Sequence, residues 1–209
     1  MPPLFELFGS FLLQLLVVVD PVAGVPLFIA ITPLAGSSER RVMALHGCLA
    51  AFAIVTFFLL CGPLLLSWLG ISVAAVRICG GVLLFAIALE MLYGRPTRTG
   101  TSPREEQLAG AKDDISITPL AFPLLAGPGA IATTLLFAPR VTSVASAFVL
   151  LAAAALVFLG TLLLLWRSEV LLRLVGALGA TIVTRLMGLV LAFLAVQYAI
   201  DGVRSAFFG

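Results

Sequence analysis

The chain has 209 residues, 62% of them hydrophobic and only 11% charged, with a formal net charge of +2. Soluble domains carry about 45–50% apolar and about 25% charged residues, so a soluble fold of this length would be left with large exposed apolar patches. The composition therefore excludes a soluble globular enzyme, and without a dense Lys/Arg cluster it also excludes a disordered chain and a nucleic-acid binder. Roughly 130 apolar residues, at about 20 per bilayer crossing, supply about six membrane helices.

Apolar runs fall at residues 4–32, 42–66, 71–93, 118–138, 143–166 and 178–200. They are continuous rather than alternating, which rules out barrel strands. The opening MPPLFELFGS has no basic segment, so the first run reads as a retained span and not a removed signal peptide. Residues 94–117 are rich in Gly, Pro, Thr, Ser and charge and read as an aqueous loop between two halves, 1–93 and 118–209. Cys48, Cys61 and Cys79 sit in apolar stretches without metal-like spacing and are expected to be small buried hydrophobes.

Loop charge sets the orientation. One side of the six-span arrangement collects Arg40, Arg41, Arg95, Arg98, Arg104, Lys112, Arg167 and Arg173, whereas the other has Arg140 and Arg204. The positive-inside rule makes the first side cytoplasmic and places both termini outside, periplasmic in a Gram-negative cell.

The first and fourth runs are each interrupted by helix breakers. DPVAGVP spans 20–26 and PLLAGPGA spans 123–130, with Pro21 and Pro128 separated by 107 residues. In the third and sixth runs, Arg77-Ile78-Cys79-Gly80 recurs as Arg185-Leu186-Met187-Gly188 at an offset of 108, and the two runs end near acids, Glu90 and Asp201. Two three-span halves with matching features must lie in opposite orientations, because three is odd. The fold expected is an all-α membrane protein of six transmembrane helices in two inverted three-helix repeats, with the first and fourth helices discontinuous. Ordinary proline kinks are the simpler explanation of the breaks, but four breakers crowd each one, and broken backbone at membrane depth persists only where it is buried or lines a cavity.

A half-helix that starts at such a break offers unpaired N–H groups and a partial positive charge to an anion. Gly24, Gly127 and Gly129 leave those amides approachable, and Pro21 and Pro128 suit first helical positions. Ala130 and Thr133 complete the second break. Thr133 and Thr134 either bond their own helix or line the site. Asp20 has three competing roles: a cap for the following half-helix, a partner for a substrate ammonium, or the carrier of a coupling ion, H+ or Na+. Arg77 and Arg185 read as snorkelling or gating residues. Gln197 is either cavity-facing or interhelical glue, His46 is interfacial, and the pairs Gly80-Gly81 and Gly176 with Gly179 read as close-packing positions.

These motifs resemble the MarC family of bacterial and archaeal inner-membrane proteins. The resemblance rests on the DPxxxxP break, RIxGGxLLFxIALxM at 77–91, PLLAGPGA at 123–130 and RLMGLxLAxxAVQ at 185–197, followed by Asp201-Gly202. It covers almost the whole chain outside the central loop. It implies six spans in two inverted repeats, a substrate site at Asp20 to Gly24 and Gly127 to Ala130, and transport of small neutral amino acids of the glycine and alanine class. Val25 departs from the Asn that many relatives carry near that position, a difference expected to bear on selectivity.

The expectation is therefore a secondary transporter working by alternating access on a small zwitterion, embedded in the lipid bilayer, with no cofactor and no nucleic-acid partner; an oligomer is compatible with it. An efflux pump for small apolar compounds and a channel are the alternatives. Without HExxH, GxSx or Walker motifs, neither an intramembrane enzyme nor direct ATP drive is expected.

Overall fold

A computed structural model describes residues 3–32, 35–94, 120–121 and 124–208, and only the backbone at 172, 173, 175 and 177. The loop cations Arg95, Arg98, Arg104 and Lys112, together with Pro123, lie outside the described residues, as does the side chain of Arg173. Among the described residues, seven α-helices follow in chain order: α1 (Leu4–Val19), α2 (Pro21–Ile31), α3 (Ser37–Trp68), α4 (Val73–Tyr93), α5 (Pro128–Phe137), α6 (Val144–Trp166) and α7 (Ser168–Phe207).

Five helical stretches among the described residues are long and apolar enough to cross a membrane: Leu4–Ile31, α3, α4, α6 and Leu178–Phe207. They account for five of the six apolar runs. The run at 118–138 is described as short π-helical pieces at 120–121 and 124–125, a bend at Ala126, and α5. Phe57, Leu64, Phe148, Leu159 and Phe193 are exposed along the long helices, as expected where lipid is the solvent.

Local chemistry explains the helix ends. Ser72 caps α4 by accepting from the Ala75 N–H at 3.1 Å, and Gly94 closes it in the left-handed conformation. Ser143 and Ser146 form reciprocal caps at the start of α6, at 3.1 and 2.9 Å.

Two departures from the sequence reading concern glycine and cysteine. The last helix starts ten residues earlier than its apolar run and is interrupted at Gly176, with φ 68° and ψ 166°. A side chain built at Gly176 would meet nothing within 4 Å, so this glycine serves a backbone conformation open almost only to glycine and not close packing. Of the cysteines only Cys48 is buried; Cys61 is half-buried and Cys79 exposed. An apolar helix face turned to lipid is as apolar in sequence as one turned to the core.

The core forms where Phe11, Leu15, Phe28, Leu84, Phe137, Leu150 and Leu191 are buried. Phe11 of α1 stacks against Phe137 of α5 with centroids 4.9 Å apart, and Phe52 of α3 meets Phe158 of α6 at 6.3 Å. α4 and α7 pack along a seam of small residues. A Cβ on Gly81 would lie 2.7 Å from the Ala195 carbonyl oxygen, one on Gly188 3.1 Å from the Ala88 carbonyl oxygen, and one on Gly202 2.9 Å from the Ile78 nitrogen. Positions rising along α4 meet positions falling along α7, so the two helices are antiparallel and in backbone contact. Without a hydrophobic drive between helices in lipid, such close approach is what holds them together.

Gly81→Ala should therefore lower the melting temperature of the detergent-solubilised protein by roughly 3–10 °C, the effect of a ~1–3 kcal/mol overpacking cost in a chain of this size. Gly160→Ala in α6, where an added Cβ meets nothing within 4 Å, should leave it unchanged or slightly higher. Circular-dichroism melting of the two variants side by side checks the seam.

Candidate functional site

The first break is a single residue. Asp20 ends α1 and begins α2 in the left-handed conformation, φ 41° and ψ 68°, the only non-glycine residue with positive φ among those described. Its N–H donates to the Leu16 carbonyl at 3.0 Å, and its own carbonyl accepts from the Gly24 N–H at 3.1 Å. Its side-chain Oδ1 accepts from the Ala23 N–H at 3.3 Å. Asp is among the few residues that tolerate this conformation, because its short side chain can bond locally.

That arrangement changes what α2 offers a ligand. Pro21 at the first helical position has no N–H, Ala23 is capped by Asp20 and Gly24 is bonded to the Asp20 carbonyl, so among the described residues only the Val22 amide of the first turn has no bond. The expectation that α2 presents several open amides is therefore corrected. What α2 presents instead is the second carboxylate oxygen: Asp20 is 8% exposed, and its Oδ2 has no hydrogen-bond partner among the described residues. Thr184 of α7 approaches the same carboxylate.

The second break is the converse. Pro128 again occupies the first helical position, but its N-cap, Gly127, has no side chain to cap α5, and no side-chain cap is found among the described residues. Thr134 is fully buried and donates to the Ala130 carbonyl at 2.7 Å. Thr133 is equally buried, and its hydroxyl has no partner. Of the three buried side-chain oxygens without a partner among the described residues, two thus belong to the breaks, the other being Thr56 Oγ1 on α3.

The fold brings the breaks together. A Cβ on Gly129 would lie 2.9 Å from Val18 Cγ1 and 2.7 Å from Ile87 Cδ1, so the first turn of α5 presses on the end of α1 two residues before Asp20. Gly129 is accordingly a packing position. Gly24 is different: it is buried, yet a Cβ there would meet nothing within 4 Å. The free space lies on the Gly24 side.

The remaining expected residues lie elsewhere. Gln197 is exposed and donates to Asp201 Oδ1 at 2.9 Å on its own helix, which corrects its reading as cavity lining or interhelical glue. Arg77 lies beside Gly202, and Arg185 Nη2 would be 3.4 Å from a Cβ on Gly94. Each arginine therefore sits at an end of the α4/α7 seam. Sequence reading did not single out Gln14 and Tyr198, whose side chains bond across α1 and α7 with the tyrosine O–H as donor. A glutamine deep in the first apolar run was the available signal.

The fold and these breaks define a multi-pass, α-helical integral membrane protein with discontinuous helical structure brought to one place. Residues 5–207 match the model of the MarC family integral membrane proteins, and the chain belongs to that family. It is similar to a UPF0056 membrane protein of Aquifex aeolicus, 35% identical over 95% of this chain and 93% of that protein. A UPF0056 membrane protein of Methanocaldococcus jannaschii is 36% identical over 90% of this chain and 92% of its own length. The UPF0056 inner membrane protein YhgN of Escherichia coli is 33% identical over 91% and 92% respectively. No solved structure matches.

Asp20→Ala removes the cap and places a residue without a polar side chain at positive φ, so it should cost about 1–2 kcal/mol. Asp20→Asn retains both the cap and the tolerance for that conformation and should stay close to the parent chain. Thermal unfolding of both variants in the same detergent separates the structural role of Asp20 from any role of its charge.

Proposed function

We propose that this chain is a secondary transporter of small neutral amino acids, glycine and alanine in class, rather than an enzyme. In this reading it works by alternating access in the inner membrane, with the Arg40 face cytoplasmic and both termini on the other side. The observation that carries the reading is the chemical asymmetry of two adjoining breaks. Among the described residues, one ends in a buried carboxylate oxygen of Asp20 that no hydrogen bond satisfies, with Thr184 nearby, and the other in a helix N-terminus whose N-cap, Gly127, has no side chain to cap it. An ammonium group suits the first and a carboxylate the second. A free amino acid carries both on one carbon.

The open space beside Gly24 is where a substrate side chain would lie in this reading. Thr133, with its spare hydroxyl, is a second polar contact for the same ligand. The cation needed at Asp20 could equally be a coupling H+ or Na+ when substrate is absent, which would link ion and substrate occupancy through one carboxylate.

The opposed orientation of the two halves is supported by the α4/α7 seam. Gly81 abuts Ala195 and Ala199, and Gly188 abuts Ala88, Met91 and Leu92. Shifting the first set by the 108-residue offset reproduces the second to within about a residue, as a two-fold axis in the membrane plane would require.

Glycine and alanine should raise the melting temperature of the purified protein, since stabilisation tracks occupancy, and should exchange across proteoliposomes. Gly24→Ala, which fills open space without a clash, should weaken the response to alanine more than that to glycine. Asp20→Asn should abolish both responses while leaving the fold intact. A parent chain that neither shifts nor exchanges with glycine, alanine or serine under an H+ or Na+ gradient overturns the reading.

A further inference from the structure

The far end of α2 is held by a side chain that belongs to neither break. Arg40, in the first turn of α3, donates to the carbonyl oxygen of Thr32 from both Nε at 3.2 Å and Nη2 at 2.9 Å. Its remaining branch, Nη1, donates to Glu169 Oε1 at 2.7 Å. Thr32 is the C-cap of α2, and its hydroxyl donates to the Phe28 carbonyl at 2.7 Å. A helix cannot pair its last carbonyls and carries partial negative charge there, so a guanidinium is a fitting partner. One planar cation thus ties the end of α2 to the first turn of α7, across the two halves of the chain.

The mounting of Arg40 is fixed. The next residue, Arg41, accepts from the indole N–H of Trp166 at 3.0 Å, which anchors the start of α3 to the end of α6. By contrast, α2 is a short rod of 11 residues, about 16 Å long. Pro26 removes one of its internal hydrogen bonds, and its other end is the one-residue junction at Asp20. Whatever holds Thr32 therefore sets where the Asp20 end of the rod can go. Glu169 is half exposed, and an ion pair in contact with water is weak enough to break and re-form.

We infer that Arg40 is a latch: engaged with Thr32 and Glu169, it keeps α2 against α7 and closes the cleft at the breaks toward the Arg40 face, and its release lets α2 swing and open that face. The functional meaning of closure rests on the transport reading, but the latch itself can be tested without any substrate.

The reporter is Gly24→Cys, placed where a side chain finds open space, in a full-length chain whose Cys48, Cys61 and Cys79 are replaced by Ala. The protein is reconstituted in vesicles of determined orientation and a membrane-impermeant maleimide is applied to one face at a time. Adding R40Q should raise the labelling rate from the Arg40 face by roughly tenfold, as expected on losing charge-assisted bonds. E169Q, which spares the bonds to Thr32, should raise it less. High salt should speed labelling in the parent and not in R40Q. An unchanged rate from that face, or an equal rise from both faces, overturns the latch. Hydrogen exchange of the α2 amides in the chain with its native cysteines gives a second readout. It should quicken in R40Q while α6 stays protected; no difference in α2 is also decisive against the proposal. Neither measurement needs glycine or alanine to bind, so failure of the latch and failure of the transport reading are separable.

Discussion

Everything at the centre of this protein depends on how a helix can be interrupted where no water is available to satisfy its backbone. At membrane depth each freed N–H or C=O costs several kcal/mol, and Asp20 deals with the interruption almost alone. Its N–H closes α1 on Leu16, its carbonyl opens α2 on Gly24, and its Oδ1 takes the Ala23 amide. The left-handed twist that lets one residue do all three is tolerable for Asp and for few others. Because only one carboxylate oxygen is needed for the cap, the other is left over, buried and without a hydrogen bond among the described residues, although Thr184 of α7 comes near the carboxylate. One carboxylate oxygen serves the cap and the other would meet the ligand of the proposed transport reading, so the roles of cap and ligand for Asp20 do not compete.

The second break solves the same problem differently and so complements the first. Proline at the first helical position spares α5 one orphan amide, and the N-cap, Gly127, offers no side chain to the next ones. Gly129 has no side chain to hold α5 away from Val18 and Ile87, and this close approach sets an uncapped helix end beside a buried acid. Neither break alone has both polarities that a zwitterion requires. The same logic of short elements held at their ends extends outward. Gln14 and Tyr198 tie α1 to α7 in mid-span, and Arg40 ties α2 to α7 at its far end. The two halves of the broken helix are therefore anchored at different heights on the same partner.

Much of this was legible before any coordinates. Continuous apolar runs gave the helices, and the crowded prolines and glycines marked the breaks, because no other residues interrupt a helix so effectively in lipid. Pro21 and Pro128 fell at first helical positions as their missing N–H suggests. Other features were hidden for physical reasons. Gly129 and Gly24 look alike in the chain, yet one faces contact and the other free space, a difference set by which neighbour the helix meets. Gly176 resembled a packing glycine and proved to be a backbone break. Gln197 looked like a buried polar residue but reaches Asp201 one turn on along its own helix.

Sequence by itself determined that the chain enters a membrane, where its helices run and where they must break, because these follow from transfer of side chains into hydrocarbon and from the chemistry of Pro, Gly and Asp along the backbone. Only the tertiary structure decided which oxygen of Asp20 remains open, that the two breaks meet, and that Arg40 spans from Thr32 to Glu169. Those are relations between residues more than a hundred positions apart, or between two atoms of one carboxylate. Distance along the chain carries no information about either.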